Sequence, residues 1–319
     1  MRTLTVAFCI ATVVLAEPLP SGPGLAARYP GDRGIAADAN VVFAEDFERE
    51  TVADVVKRWN EAKNPRGKAL HLEGEPGKRC LRVTATHGEN TGGHLYKRFA
   101  GQKVAFARFY VKFPKPGAFI HHFVGMGGYF PSTRWPQGHA GVKPKGDDRF
   151  TVGIEPHANW GRERAPGHWN FYTYWHEMKP SAGGKHWGNA LAPSKPAVVP
   201  TGRWQCVEFM IRCNRPGARD GELALWLDGK LVAHFVQGVR RTKWTGMGFR
   251  LARAGTPFEG LSWRTTEKLD VNFFCLSHYV TPGHQARSGV KRPPRENRVW
   301  FDSVVVAKQY IGPLVPAKR

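Results

Sequence analysis

Hydrophobic and polar residues alternate along much of this chain with the two-residue period of a β-strand. The pattern is clear in the segment 107–113, which has one apolar and one polar row. The apolar row is Ala107, Phe109, Val111 and Phe113, and the polar row is Arg108, Tyr110 and Lys112. The same period in the segment 299–307 places Phe301, Ser303, Val305 and Ala307 on one face. We therefore predict a strand in each segment.

The segment 222–235 predicts a β-hairpin. Leu223, Leu225 and Leu227 recur at every second position, as in a strand with one buried face. The dipeptide Asp228-Gly229 follows them, and this pair readily adopts the left-handed backbone of a type I′ turn. The apolar run that comes after the turn supplies the second strand.

Strand patterns of this kind continue from residue 41 to about 313, and only the segment 51–59 resembles a helix. Short strands separated by glycine- and proline-rich turns, without an internal repeat, predict one all-β sandwich domain over 41–313. The preceding residues 17–40 are rich in proline and glycine and predict a flexible leader. Residues 314–319 are expected to form a short tail.

The first sixteen residues have the pattern of a secretory signal peptide. Arg2 precedes an apolar run, and small residues lead to a cleavage site after Ala16. The run is too short to span a bilayer, and no other segment is apolar enough to do so. We expect a protein that is secreted or periplasmic, without a membrane span.

The chain is strongly basic, with a formal net charge of +21. Such an excess favours polyanionic partners, among them acidic polysaccharides. Nucleic acid would be bound only nonspecifically, through charge alone, and that binding would weaken steeply with salt. An arginine-rich source proteome would give the same composition, so charge alone does not select a partner.

Four cysteines remain once Cys9 leaves with the signal peptide. Cys206 and Cys213 fall in one predicted strand, where seven residues span roughly 23 Å. That separation excludes a disulfide between them. If two disulfides form, each of these residues pairs with Cys80 or Cys275; free buried cysteines are the alternative.

Several motifs resemble polysaccharide lyase family 14, whose members include enzymes of the alginate and glucuronan lyase type. They lie at 107–113, 122–128, 170–176, 220–232 and 299–307, and together they span most of 41–313. The resemblance implies a concanavalin A-like β-jelly-roll sandwich in which one curved sheet carries a groove. Carbohydrate-binding modules share this architecture, so a noncatalytic, lectin-like protein is the second hypothesis.

The segment 170–176 is the strongest candidate for chemistry. Because alternate residues of a strand share a face, its polar and aromatic side chains separate into two rows. One row, Asn170, Tyr172, Tyr174 and His176, is suited to line a groove, and the other, Phe171, Thr173 and Trp175, is suited to pack in the core.

The resemblance implies β-elimination from a uronic acid. This reaction needs a group that neutralises the carboxylate, a base that removes the C5 proton and an acid that protonates the leaving oxygen. By resemblance, Tyr172 and Tyr174 are the acid and base, and His122 and Arg108 neutralise the carboxylate. The further residues expected to bind substrate are Tyr110, Lys112, Glu155, His157, Asn170 and His176.

The chain departs from the family pattern at Gly153, which stands where the family has an arginine. Arg108, Lys112 and Arg149 are the nearby candidates to replace it. Glycoside hydrolysis of the jelly-roll glucanase type is disfavoured, because Glu155 has no second carboxylate two or four residues later.

Two metal hypotheses arise from the sequence. His122, His157 and His176 are candidates for a transition-metal site, although their spacing is not diagnostic. Glu45 and Asp302 resemble the residues with which such sandwiches bind a structural calcium ion between the first and last strands. We expect no organic cofactor, and we expect a monomer.

Overall fold

The computed structural model of the chain describes residues 18–239, 244–252, 255–287 and 294–316. The signal peptide predicted for residues 1–16 lies outside the described residues.

The described residues form sixteen β-strands and two short α-helices. The strands are β1 (Val41–Glu45), β2 (Glu61–Lys63), β3 (Leu70–Glu73), β4 (Cys80–Thr86), β5 (Gly92–Gln102), β6 (Val104–Lys112), β7 (Val124–Tyr129), β8 (Arg149–His157), β9 (His168–Tyr174), β10 (Asn189–Ala192), β11 (Trp204–Arg212), β12 (Glu222–Leu227), β13 (Lys230–Phe235), β14 (Gly248–Arg250), β15 (Val271–Tyr279) and β16 (Glu296–Ala307). The helices are α1 (Val52–Lys57) and α2 (Pro282–Arg287), and short 3-10 turns lie at Leu25–Arg28, Pro30–Asp32, Ile35–Ala37, Pro65–Gly67 and Asn159–Gly161.

The strands assemble into two sheets. The first has the order β13-β12-β11-β6-β16-β4-β3, with β1 also paired to β16. The second has the order β14-β10-β9-β8-β7-β15-β5-β2. Neighbours are antiparallel except for β10 and β14. The prediction of an all-β jelly-roll sandwich is confirmed.

The main core lies between the two sheets. Phe109 and Phe209 from the first sheet and Phe171 from the second are fully buried in one hydrophobic cluster. Burial of apolar surface is the main stabilising contribution to such a core. Each strand therefore directs its other row of side chains away from the partner sheet, and that row either faces solvent or is covered by loops.

The predicted hairpin and helix are both confirmed. Strands β12 and β13 pair across Asp228 and Gly229, whose φ angles of 50° and 76° are those of a type I′ turn. Helix α1 begins after Thr51, whose side-chain oxygen accepts a hydrogen bond from the Asp54 backbone N–H at 3.2 Å. This bond satisfies one of the unpaired donors of the first turn.

The faces predicted for the segment 299–307 are wrong beyond Asp302. A β-bulge lies between Asp302 and Val305, and Ser303 takes a φ of 48° within it. The extra residue reverses the alternation, because each inserted position moves the following side chains to the other face. Val304 consequently joins Phe301 in the main core, and Val305 packs on the outer side of the sheet.

The segment 17–40, predicted to be a flexible leader, packs onto the first sheet through several of its described residues. Leu25, Ala26 and Ile35 are buried against the outer face of the first sheet. The backbone N–H of Leu25 donates to Tyr310 O at 3.1 Å, and the backbone N–H of Ala26 donates to Ile311 O at 2.8 Å. The folded unit thus begins before residue 41.

The described part of the predicted tail, residues 314–316, is held in the same region. The backbone N–H of Gly31 donates to Val315 O at 2.8 Å, so the two ends of the described chain meet over the first sheet. The cysteines at 80, 206, 213 and 275 are all free thiols. None of the helices in the described ranges is both long and apolar enough to cross a membrane.

Candidate functional site

A groove of about 400 Å³ lies on the outer face of the second sheet, over β7, β8, β9 and β15. Gly125 and Gly153 pair across β7 and β8 and form part of its floor. Neither of them contributes a side chain to the groove. The loops at 131–149 and 179–200 contribute to its walls, through residues such as His139 and Trp187.

Strand β9 directs Tyr172 and Tyr174 into this groove. The residues between and beside them, Phe171 and Thr173, are fully buried on the core side. The predicted separation of the strand into a groove row and a core row is therefore confirmed for these positions. The two phenol oxygens lie 3.3 Å apart, so one hydroxyl donates to the other.

Burial raises the pKa of Tyr172 well above its ordinary value, and the neighbouring Tyr174 hydroxyl raises it further. Gly188 packs against the ring so closely that a Cβ there would lie 2.4 Å from it. This contact restricts the ring, and it requires glycine at position 188. Tyr172 is thus a neutral phenol, suited to donate a proton rather than to accept one.

His122 lies beside the tyrosines, with its ring centroid 5.1 Å from that of Tyr172. Its backbone is held by reciprocal hydrogen bonds with Tyr279 at 3.1 and 3.0 Å. Its Nδ1 lies 2.9 Å from Glu155 Oε1. Burial of the imidazole opposes protonation, but the charge and hydrogen bond of Glu155 outweigh this effect and raise the pKa of His122 above its ordinary value.

Three of the predicted site residues lie outside the groove, which corrects the sequence analysis. Arg108, Tyr110 and Lys112 belong to β6, a strand of the first sheet whose apolar row fills the core. Their polar row therefore points away from the second sheet. The prediction that these residues contact a substrate in the groove is wrong.

Each of these three side chains has a structural contact instead. Arg108 is fully buried and forms an ion pair with Asp32 of the N-terminal segment. The Tyr110 hydroxyl accepts a hydrogen bond from the Leu314 backbone N–H at 2.8 Å. The Lys112 ammonium group lies 4.9 Å from the ring centroid of Trp300.

Three further predicted residues lie near the groove but do not line its cavity. Asn170 is buried and pairs with Glu155 across β8 and β9. His157 is exposed at the end of β8. His176 follows the end of β9 and packs against Gly146, where a Cβ would lie 2.9 Å from the imidazole Cγ. Of the row predicted from Asn170 to His176, only the two tyrosines therefore line the groove.

Arg149 is the arginine that the structure does bring to the groove. Its Nη1 pairs with Asp148 at 2.5 Å and its Nη2 donates to Val142 O at 2.9 Å. It lies four positions before Gly153 on β8, a span of roughly 13 Å. Arg149 is therefore neutralised by Asp148 at a different point of the groove and does not take the place of an arginine at 153.

The two carboxylates proposed for calcium are engaged in hydrogen bonds within the protein. Among the described residues, no three histidine, cysteine, aspartate or glutamate side chains are grouped so as to bind one. Glu45 is engaged at both oxygens, by Arg58 Nε at 2.9 Å and by the Phe47 backbone N–H at 3.0 Å. Asp302 Oδ1 accepts from the Ser303 backbone N–H at 2.6 Å.

No protein-family model matches the sequence, and no curated protein matches it. Solved structures do match. The alginate lyase vAL-1 from Chlorella virus has a TM-score of 0.54 and 14% identity, over 85% of this chain and 100% of that chain. The PL-14 alginate lyase from Aplysia kurodai has a TM-score of 0.53 and 12% identity, again over 85% of this chain and 100% of the other.

A third structure, a mutant of alginate lyase Aly36B in complex with alginate trisaccharide, matches with a TM-score of 0.51 and 14% identity, over 86% of this chain and 100% of that chain. This chain has the fold of these alginate lyases. The jelly roll implied by the sequence motifs is thus found in full, with the tyrosine pair and His122 in the groove of its second sheet.

Proposed function

We propose that this protein is an exported polysaccharide lyase that cleaves a uronic acid-containing polysaccharide by β-elimination. The observation that carries the proposal is the pair of hydroxyls of Tyr172 and Tyr174, 3.3 Å apart beside His122, in the groove of an alginate lyase-like jelly roll. The net charge of +21 supports an anionic substrate, because a basic protein attracts polyanions over long range.

In the proposed mechanism, His122 binds the uronate carboxylate as an imidazolium. Its raised pKa, which results from Glu155, favours the protonated form. Neutralising the carboxylate makes the C5 proton more acidic, because charge that develops at C5 is then delocalised next to a cation. Glu155 keeps Nδ1 engaged, so Nε2 is the nitrogen assigned to the substrate.

The tyrosines carry out the proton transfers. Tyr174, once deprotonated, removes the C5 proton; the electrons of the C5–H bond form the C4–C5 double bond, and the C4–O4 bond breaks. Tyr172, a neutral phenol, donates its proton to the leaving O4. The proton gained by Tyr174 then passes to the Tyr172 oxygen across their 3.3 Å contact, which restores the starting state.

The test is the ultraviolet absorbance of the new C4–C5 double bond during incubation with alginate, glucuronan and other polyuronates. We expect Tyr172→Phe and Tyr174→Phe each to lower kcat by about 10²–10⁴-fold. Tyr29→Phe is a matched control, because that hydroxyl contacts Asp38 on the far side of the molecule. Absence of absorbance on every polyuronate, or full activity of both groove variants, would overturn the proposal.

Export is tested separately. We propose that the protein leaves the cytoplasm after cleavage behind Ala16 and acts as a monomer. Mass spectrometry of the protein from the periplasm or medium should give a mature chain that begins at residue 17. Sedimentation should give the mass of one chain. A retained N-terminus would contradict the proposed export.

A noncatalytic carbohydrate-binding protein is the second candidate. Gly153 favours it, because this position of the groove floor has no cationic side chain, and so does the presence of the Glu155 carboxylate beside His122. Binding to a glycan array without release of unsaturated product, abolished by Tyr172→Ala, would select this candidate over the enzyme.

A further inference from the structure

Trp160 is an exposed tryptophan at one end of the second sheet. Its side chain retains 54% of its accessible surface, although tryptophan is among the largest apolar residues. It lies just after β8, the strand that carries Gly153, Glu155 and His157 on its groove-facing row. Its ring centroid is 6.1 Å from that of His157.

The backbone at Trp160 is in the left-handed region. Its φ is 55°, and Asn159 and Gly161 beside it have φ values of 48° and 85°. Asparagine and glycine tolerate this conformation, but a bulky aromatic residue rarely adopts it. Such strain persists where the surrounding structure imposes it, and it concentrates at functional sites. The loop thus holds a large apolar ring more than half exposed, at an energetic cost.

A series of ring contacts connects Trp160 to the proposed catalytic centre. The His122 ring stacks on His121 at a centroid distance of 4.2 Å, and His121 stacks on His284 at 4.8 Å. The His284 centroid is 5.4 Å from that of Trp160. Trp160 therefore lies three ring contacts from the residue assigned to the substrate carboxylate, on a continuous aromatic edge.

We propose that Trp160 is a binding platform for a pyranose ring of the polysaccharide, in a subsite away from the bond that is cleaved. This inference rests on the proposed function. A pyranose has an apolar C–H face and an equatorial belt of hydroxyls, so one face packs on the indole while the hydroxyls stay in water. An exposed aromatic that continues a ligand groove is suited to this contact.

The platform has a consequence for the length of the preferred substrate. A chain that occupies both Trp160 and the tyrosine pair extends beyond the cavity in which the bond breaks. Long chains therefore bind more tightly than oligosaccharides too short to reach Trp160. Binding energy from Trp160 is the same in the ground and transition states, so it lowers KM and leaves kcat unchanged.

The test compares Trp160→Asn with Trp160→Phe. Asparagine tolerates the left-handed backbone and removes the ring, whereas phenylalanine keeps an aromatic face. We expect Trp160→Asn to raise KM for the polymer about tenfold and to leave both kcat and turnover of short oligosaccharides unchanged. Trp160→Phe should restore most of the loss. Trp204→Ala is the control, because Trp204 packs on Lys112 of the first sheet.

Equal KM values of Trp160→Asn and the parent protein for the polymer would overturn the inference. If no polyuronate is cleaved at all, retardation of the protein in gels that contain each polysaccharide separates the two proposals. Loss of retardation in Trp160→Asn then supports the platform although the lyase function has failed, and equal retardation rejects the platform. A change in sedimentation without a change in glycan binding would assign Trp160 to a protein contact and also reject it.

Discussion

Glu155 Oε1 lies 2.9 Å from His122 Nδ1 and joins β8 to the segment that precedes β7. The contact fixes the orientation of the imidazole and determines which ring nitrogen is left for a ligand. A carboxylate that is hydrogen-bonded to one ring nitrogen of a histidine also stabilises the protonated, charged imidazolium. The protonation state of His122 in the groove therefore depends on Glu155.

Glu155→Gln should change the pH dependence of activity. Glu155 raises the pKa of His122, so its removal lowers that pKa. If the imidazolium binds the substrate carboxylate, activity is present below the pKa of His122 and is lost as pH rises through it. We expect the alkaline limb of kcat/KM to move to lower pH in the variant, with the largest loss of activity at alkaline pH.

Glu222→Gln is the control for this experiment. Glu222 forms a comparable pair with His234 Nε2 at 2.8 Å, on the first sheet. Its substitution should leave the pH profile unchanged. An alkaline limb that stays in place in Glu155→Gln would mean that His122 does not act as a cation in this step.

The separation of site and non-site residues shows what periodicity can and cannot predict. Alternation correctly identified the two faces of β9, with Phe171 in the core, and those of β6, with Phe109 in the core. It could not identify which sheet each strand joins, because sheet order depends on pairing between residues far apart in sequence. Arg108 was therefore assigned to the correct face of its strand and to the wrong side of the molecule.

The Arg108–Asp32 pair should contribute to stability and not to activity. Arg108 is fully buried, and Asp32 comes from the N-terminal segment that covers it. Asp32→Ala leaves a buried guanidinium without its partner, which costs about 3–5 kcal/mol of unfolding free energy. Urea denaturation measures this loss, and kcat/KM of the folded variant should be unchanged.

The double variant Asp32→Ala, Arg108→Met is the matched control. It removes the buried charge together with its partner, so it should recover much of the lost stability. Loss of activity in folded Asp32→Ala would instead return Arg108 to the catalytic site.

The same region shows why the N-terminal segment was misjudged. Its proline and glycine residues resemble those of a linker, but here they form three short 3-10 turns. These turns bring Leu25 and Ile35 onto one apolar face of the first sheet. Proline and glycine content predicts where a chain turns. It does not predict whether the apolar residues between the turns have a surface of the same protein on which to pack.

Arg58 should stabilise the protein in the place that the sequence analysis assigned to calcium. Glu45 is buried, and Arg58 Nε donates to its carboxylate at 2.9 Å. Arg58→Ala removes a hydrogen bond to a charged group and should cost about 1.5–3 kcal/mol. Arg49→Ala is the control, because its contact with the exposed Asp46 at 3.9 Å contributes little.

EGTA provides the complementary measurement. Because Arg58 occupies the Glu45 carboxylate, chelation should leave the melting temperature of the parent protein unchanged. A lower melting temperature in EGTA, restored by added Ca²⁺, would show that a calcium ion stabilises the fold.

Asp302 should make the protein less stable as pH rises. Burial raises the pKa of its carboxyl from 3.8 to about 7, and nearby Glu48 adds to this effect, although hydrogen bonds from Ser303 oppose it. The folded state therefore retains a proton that the unfolded chain releases. The contribution of Asp302 to stability is fully present below its unfolded pKa, near 3.8, and is lost as pH rises through about 7.

Asp302→Asn removes this titration while keeping an oxygen that accepts from the Ser303 backbone N–H. Urea unfolding should give similar free energies for the two proteins at about pH 4 and a more stable variant at about pH 8. The unfolding free energy of the variant should still fall with rising pH, but by less, because burial also raises the pKa of Glu208 to about 7. Equal pH dependence in both proteins would show that Asp302 is ionised in the folded state at neutral pH.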